Sequence, residues 1–487
     1  MPSWFEDLVD EARLTALTLL DRAEELTSPT LRLGVTGLSR SGKTVFTTAL
    51  IHALMRGGRL PVFRAMHEGR IAGAHLEPQP DDGVPRFDYE GHLAALVDER
   101  RWPESTKRIS ELRLVVDYAP QRGGRRSLTL DIVDYPGEWL LDLPLLDQSY
   151  AQFATGSLNL ARAPARRPLA GPFLAALGLA DPSAPADEAE ARRLAALFTD
   201  YLAACRAETV SMSLLPPGRF LMPGDLEGSP ALTFAPLDLS EGIEAPAGSL
   251  HAMMERRFES YKERVVRPFF RDHFARLDRQ IVLIDLLSAL NAGPAALADL
   301  EAALDGILAA FRVGRNSWLS ALFRHRIGKV LFAATKADHL HHTSHDPLEA
   351  ILRRLVERAL GRAEGAGAEI DVVALAAVRA TREAMVKRGR AHLPAIVGVP
   401  EAGQHGADDF DGLAEAAVFP GDLPENPSAL FDPTLGFNGL SDASGGDFRF
   451  LRFRPPVVER NAEGLALPLP HIRLDRALEF LLGDRLK

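Results

Sequence analysis

The chain has 487 residues and a single cysteine, Cys205. An intrachain disulfide and a cysteine-built metal centre are therefore excluded. The flank Tyr201-Leu202-Ala203-Ala204 is apolar at helical spacing, so Cys205 reads as a small core residue. No uninterrupted apolar run reaches the length a bilayer demands. Excess positive charge is also missing. The formal net charge is −10, which argues against broad nucleic-acid binding by phosphate neutralisation. The start, Pro2-Ser3-Trp4-Phe5-Glu6-Asp7, has neither the basic opening nor the apolar core of a signal peptide. A cytoplasmic protein is expected, with peripheral membrane contact left open. No internal repeat is visible.

What remains is ordinary for a globular protein, with 46% hydrophobic and 25% charged residues. The length exceeds one small core, so two or more domains are expected. Against this background one segment stands out. Gly37-Leu38-Ser39-Arg40-Ser41-Gly42-Lys43-Thr44 fills the pattern G-x-x-x-x-G-K-[ST]. The apolar run Leu31–Thr36 before it reads as a buried strand. Val45–Met55 after it has helical periodicity. A strand, a glycine loop and a helix N-terminus make a phosphate cradle. Ser39, Arg40, Ser41, Gly42, Lys43, Thr44 and Val45 are the expected phosphate contacts. Lys43 reaches the outer phosphates, and the Thr44 hydroxyl ligates Mg²⁺.

Further elements narrow the reading. Leu112–Tyr118 and Ser127–Asp134 are strand signals separated by a turn containing Gly123-Gly124, hence an antiparallel hairpin. The second strand ends in Asp134-Tyr135-Pro136-Gly137-Glu138, the pattern D-x-x-G. Asp134 is expected to hold Mg²⁺ through water, and the Gly137 N–H to contact the γ-phosphate as part of a switch. Glu138 stands where many GTPases carry the residue that orients attacking water, so Glu138 joins Lys43 as a catalytic candidate. Thr106 is the candidate second Mg²⁺ ligand, with Ser105 the alternative. Thr335-Lys336-Ala337-Asp338 follows another strand signal and resembles the guanine-reading N-K-x-D, with Thr335 in place of Asn. Asp338 accepts the two donors of guanine, and the Lys336 stem packs on the base. Ala377 and Val378 lie in the loop expected to cover the base. Arg219, Arg379 and Arg473 are weighed as charge stabilisers at the γ-phosphate against structural ion pairs. His339, His341, His342 and His345 are weighed as a metal site against a solvated loop.

The order of these elements is that of Ras-like GTPases. The expected fold is α/β: a P-loop NTPase of the Ras-like type, with a mixed sheet and helices on both faces. The interval from Asp134 to Thr335 exceeds what a minimal G domain needs, and an alanine-rich, mainly helical insertion accounts for it. The expected organisation is as follows: an N-terminal helix over 1–26 packs on the G domain, whose first part covers 27–140. The insertion spans 141–279 and the second part of the G domain 280–395. A loop-rich region and a C-terminal helix occupy 396–487. The stretch from Gly57 to Arg101, rich in Pro and Gly, is expected to be mostly loop.

The chain resembles the YcjX-like family of bacterial P-loop proteins. The resemblance is carried by Gly37–Thr44, by Trp102-Pro103 with Thr106, and by Asp134-Tyr135-Pro136-Gly137-Glu138-Trp139-Leu140. It extends to Pro217-Gly218-Arg219-Phe220, Thr335–Asp338 and Pro470-His471-Ile472-Arg473-Leu474-Asp475-Arg476-Ala477. It implies a GTP-binding, stress-associated cytoplasmic protein. The expected function is a GTP- and Mg²⁺-dependent switch with slow hydrolysis, GTP or GDP being the ligand. Output passes through the helical region to a protein partner that the sequence does not name. An ATPase and a nucleotide-binding scaffold with little hydrolysis are the alternatives.

Overall fold

The computed structural model describes residues 29–38, 40–104, 106–207, 210–239, 245–311, 327–361, 368–388, 391–402, 410–431 and 450–487. The expected N-terminal helix, Ser39 and Ser105 lie outside the described residues. Strands β1 (Thr30–Gly37), β2 (Ile71–Glu77), β3 (Ser110–Tyr118), β4 (Arg126–Asp134), β5 (Arg279–Ile284), β6 (Lys329–Ala334) and β7 (Glu369–Ala374) form one sheet. Their order is β2-β3-β4-β1-β5-β6-β7. From β4 to β7 neighbours are parallel, while β2, β3 and β4 pair antiparallel. The sheet is therefore mixed, and β3 and β4 are the expected hairpin.

The stretch expected to be loop between Gly57 and Arg101 holds β2 and a helix, Tyr89–Val97. β2 is an edge strand with Ala72, Gly73 and Ala74 at its centre, and its pairing with β3 supplies what its weak apolar alternation does not. The helix is announced by Asp88, whose side chain accepts the Gly91 N–H at 3.0 Å.

Side chains of the central strands alternate between two cores, as the period of two in a strand requires. Leu31, Leu33, Val35, Ile281, Leu283, Leu331 and Ala333 point to one face. There they meet α1 (Lys43–Arg56), the helix Tyr89–Val97 (α2) and the C-terminal helix Leu474–Leu482. Val133, Val282, Ile284, Val330 and Phe332 point to the other face. Burial on both sides explains why these strands read as nearly continuous apolar runs.

The apolar side chains of the second face join a cluster with helices that follow β4 in the chain: α3 (Tyr150–Arg162), α4 (Glu188–Arg206) and α5 (Leu250–Tyr261), then α6 (Pro294–Phe311) and α7 (His345–Gly361) after β5, of which α7 packs on β6 and β7. α3 starts at a capping box, Ser149 with Gln152, which satisfies two otherwise orphaned N–H groups. The rings of Phe153 and Phe258 stack at 4.9 Å and join α3 to α5. These helices share one continuous hydrophobic cluster with the sheet face. After β7 the chain makes a smaller antiparallel sheet of β8 (Arg382–Arg388), β9 (Ala391–Gly398) and β10 (Ala416–Val418). The C-terminal helix, α8, returns across β6 and β7. No helix among the described residues is long and apolar enough to cross a membrane.

Asp142 joins the 3-10 helix Gly137–Asp147 to the helical region. Its carboxylate accepts the Gly218 N–H at 2.7 Å and the Tyr261 O–H at 2.6 Å. Burial pushes this carboxyl up to about 6, although the bonds from Tyr261 and Gly218 act against the rise. The folded chain thus binds a proton here more tightly than the unfolded chain, and the stability contribution falls as pH rises through that window. In thermal melts, the wild type is expected to gain stability relative to Asp142→Asn when pH is lowered from 7 to 5. Asp142→Ala is expected to cost about 1–3 kcal/mol for each donor left unpaired. A pH-independent difference between wild type and the Asn variant would contradict this assignment.

Candidate functional site

The C-terminal ends of β1, β5, β6 and β7 open onto one cleft, and Asp134 at the end of β4 lies behind Thr106 of its lining. Parallel strands put their carboxyl ends on one side of a sheet, and ligands of such sheets bind there. The cleft has a volume of about 340 Å³. Its lining runs from Arg40, Ser41, Gly42, Lys43, Thr44 and Val45 at one end to Lys336, Asp338, Ala377 and Val378 at the other.

At the first end, Gly42 is in the left-handed conformation at φ 81° and begins α1 without a side-chain cap. The helix N-terminus therefore keeps its N–H groups and its positive dipole for a ligand. Lys43 is buried, and its ammonium donates to the Gly37 carbonyl at 3.0 Å. Gly137 packs so closely that a Cβ placed on it would lie 1.9 Å from the Gly37 carbonyl oxygen. D-x-x-G and the glycine loop are in backbone contact.

Three oxygens meet beside Lys43. The Thr106 hydroxyl donates to Asp134 Oδ2 at 2.7 Å and lies 3.2 Å from the Thr44 hydroxyl. Asp134 is fully buried, and its Oδ1 has no hydrogen-bond partner among the described residues. Burial pushes the Asp134 carboxyl up to about 6, and Lys43 and the Thr106 hydroxyl act against the rise. Two hydroxyls and a carboxylate with an unpaired buried oxygen are hard oxygen ligands suited to Mg²⁺. The residues expected as metal ligands are thus brought together from α1, the loop before β3 and the end of β4.

At the second end, Lys336 sits at φ 61° and its ammonium pairs with buried Asp285. Burial works against ionisation of Asp285. Lys336 and the bonds from Ser288 prevail and hold its carboxyl below the usual range. The Thr335 hydroxyl donates to the Ile284 carbonyl at 3.2 Å, so Thr335 ties its loop to β5. Asp338 is buried, and its Oδ2 accepts the Ala380 N–H at 2.8 Å. The loop after β7 and the loop after β6 hold each other.

Of the other expected residues, Glu138, Arg219, Arg379, Arg473, His341, His342 and His345 fall outside the cleft lining, and His339 is part of it. Glu138 is buried, with Oε1 3.9 Å from Arg206 of α4 and Oε2 unpartnered among the described residues. Arg219 lies over the Trp139 ring at 3.2 Å. Arg379 donates to the Thr381 carbonyl at 2.8 Å, and Arg473 pairs with Asp346 and Glu349. The histidine group divides. His345 bonds the Ala337 carbonyl at 2.9 Å, and His339 packs edge-on to Phe453 at 5.6 Å. His341 and His342 face Glu383.

The sequence reading missed Asp285, Glu401, Arg452 and Phe453, all of which line the cleft. Asp285 carried a signal, an acid at the end of a buried strand beside the glycine loop. The others come from irregular segments far along the chain. Phe453 is held by its carbonyl, which accepts the Trp102 indole N–H at 2.7 Å.

Gly137→Ala is expected to destabilise the fold by about 1–3 kcal/mol, because the clash is with backbone that cannot rotate away. Denaturant unfolding that leaves the midpoint unchanged would contradict the contact.

Comparison with known proteins gives a consistent result. The model of the YcjX-like family matches residues 31–486. A protein named Ras-like GTPase YcjX from Escherichia coli strain K12 is 39% identical over 474 residues, covering 94% of this chain and 96% of the relative. One of the same name from Shewanella oneidensis is 35% identical over 482 residues, covering 94% and 95%.

Proposed function

The chain belongs to the YcjX-like family, and we propose that it is a guanine-nucleotide switch that binds GTP with Mg²⁺ and hydrolyses it slowly. The observation that carries this reading is a cleft with the glycine loop and Thr44, Thr106 and Asp134 near one end and Lys336 and Asp338 at the other. The name Ras-like GTPase on two relatives supports it. Lys43 and the N–H groups at the start of α1 neutralise the outer phosphates. Thr44, Thr106 and Asp134 would hold Mg²⁺, which when bound offsets charge on the transferred phosphoryl group. Lys336 lies along the base and Asp338 reads its Watson–Crick edge, with Ala377 and Val378 beside it. The Gly137 N–H meets the γ-phosphate, and the turn Gly137–Asp147 passes the difference between GTP and GDP to the helical region. Residues 141–279 are the output element toward a protein partner. A stress-associated role in the cytoplasm rests on family resemblance alone.

Lys43→Ala is expected to abolish tight triphosphate binding. Asp338→Asn tests the base directly. Asn offers one acceptor and one donor, which suits xanthine rather than guanine. Titration of GTP, ATP and xanthosine triphosphate is expected to show the variant losing GTP and gaining xanthosine triphosphate. A wild type that prefers ATP, or a variant that keeps its GTP affinity, would overturn the guanine reading.

One observation favours a second reading, a nucleotide-dependent scaffold with little turnover. Glu138 faces Arg206 and does not line the cleft. If Glu138 turns toward the γ-phosphate during hydrolysis, Glu138→Ala keeps GTP affinity and loses phosphate release. Wild-type turnover no faster than spontaneous hydrolysis, even with candidate partners added, favours the scaffold.

A further inference from the structure

Beyond the cleft, the turn that follows Asp338 brings two imidazoles against a carboxylate from a different element. His342 Nδ1 lies 2.6 Å from Glu383 Oε2, and His341 Nε2 lies 3.9 Å from the same oxygen. One ligand atom from each of the three residues falls within 4.8 Å of the others. Glu383 Oε1 faces the other way, 3.5 Å from Arg379, so the two histidines share Oε2. The second nitrogen of His341 is engaged within its own turn. Nδ1 lies 3.0 Å from the Thr343 hydroxyl and 3.5 Å from the Thr343 N–H, contacts that fix the ring with Nε2 toward Glu383; ligation through Nε2 puts the ring proton on Nδ1, where the Thr343 hydroxyl accepts it. The ring of His341 is buried, whereas His342 is exposed.

We propose that His341, His342 and Glu383 form a site for a Zn²⁺-class divalent ion. Two imidazoles and one carboxylate are the donor set that such ions favour, and Mg²⁺ and Ca²⁺ prefer oxygen alone. Bonds of about 2.0–2.1 Å set tetrahedral ligand atoms about 3.3 Å apart, so the His341–Glu383 pair at 3.9 Å must close and the His342–Glu383 pair at 2.6 Å must open. Water fills the fourth position. Binding replaces the hydrogen bond between His342 Nδ1 and Glu383 with bonds from both to the ion, and the neutral His342 ring carries its proton on Nε2.

The placement says what the ion would do mechanically. Glu383 stands on β8, two residues after Thr381; the Ala380 N–H and the Thr381 hydroxyl hold Asp338. His341 and His342 belong to the turn between Asp338 and α7. An ion joining them clips this turn to the smaller sheet and reinforces the brace behind Asp338. The site is separate from Thr44, Thr106 and Asp134, and its existence does not depend on what the cleft binds.

The test uses the untagged full-length chain, stripped of metal and nucleotide, with Zn²⁺ titrated against a chromogenic chelator. The expected result is one equivalent held by wild type, with affinity reduced at least about tenfold in His342→Ala and in Glu383→Gln, since loss of even a supporting partner costs about 10–100-fold. His67→Ala, which removes an exposed histidine elsewhere, is expected to bind as wild type does. Metal-free melts of the variants should match wild type, and Zn²⁺ should raise the melting temperature of wild type more than theirs. Co²⁺ should give a tetrahedral absorption band in wild type that both variants lose. No bound equivalent, or equal Zn²⁺ affinity in wild type and both variants, overturns the proposal.

Discussion

The parallel pairing of β1 with β4 is the constraint from which the site follows. Their register sets Val35 opposite Asp134. From there both chains run off the sheet side by side, and Gly137 comes to lie on the Gly37 carbonyl. The same carbonyl receives the Lys43 ammonium. One backbone contact thus locates the cation, the buried carboxylate and the turn that follows. A side chain at position 137 would separate the three.

That turn also carries the connection to the helices. Trp139 supports the Arg219 guanidinium, Asp142 binds Gly218 and Tyr261, and Glu138 approaches Arg206 of α4. The helices and one sheet face bury their apolar groups in the same cluster. A close-packed interior resists small displacements. Movement of the turn therefore cannot leave the helices undisturbed. The far end of the cleft is built differently. There the loops after β6 and β7 are held by Lys336 with Asp285, Thr335 with β5, and Asp338 with Ala380. These contacts are polar and local, and they set a rigid wall against which a flat ring can rest.

Much of the architecture was legible in local pattern. The strands β1, β3, β4, β5, β6 and β7 announce themselves because burial on both faces demands runs rich in apolar residues. Gly37–Thr44 and Asp134–Gly137 are legible because each does its work through its own backbone, within a few residues. β2 was not legible, since an edge strand built on Ala72, Gly73 and Ala74 owes its conformation to hydrogen bonds from β3. The pair β8 and β9 escaped because charged residues fill β8, Pro394 interrupts β9, and the apolar cluster they join is small.

The sequence by itself determined the identity and order of the cleft's main elements and the family, because glycine conformation, strand burial and helix periodicity are local properties. Tertiary structure alone decided who meets whom. It brought Thr106 between Thr44 and Asp134, and turned Glu138 toward Arg206. It placed Arg219 on Trp139 rather than in the cleft, and split the four histidines between core and surface. It also drew Arg452 and Phe453 to the cleft from the far end of the chain. Such contacts depend on where long connections return. The cost of closing a loop grows only slowly with its length, so spacing in the chain carries little information about them.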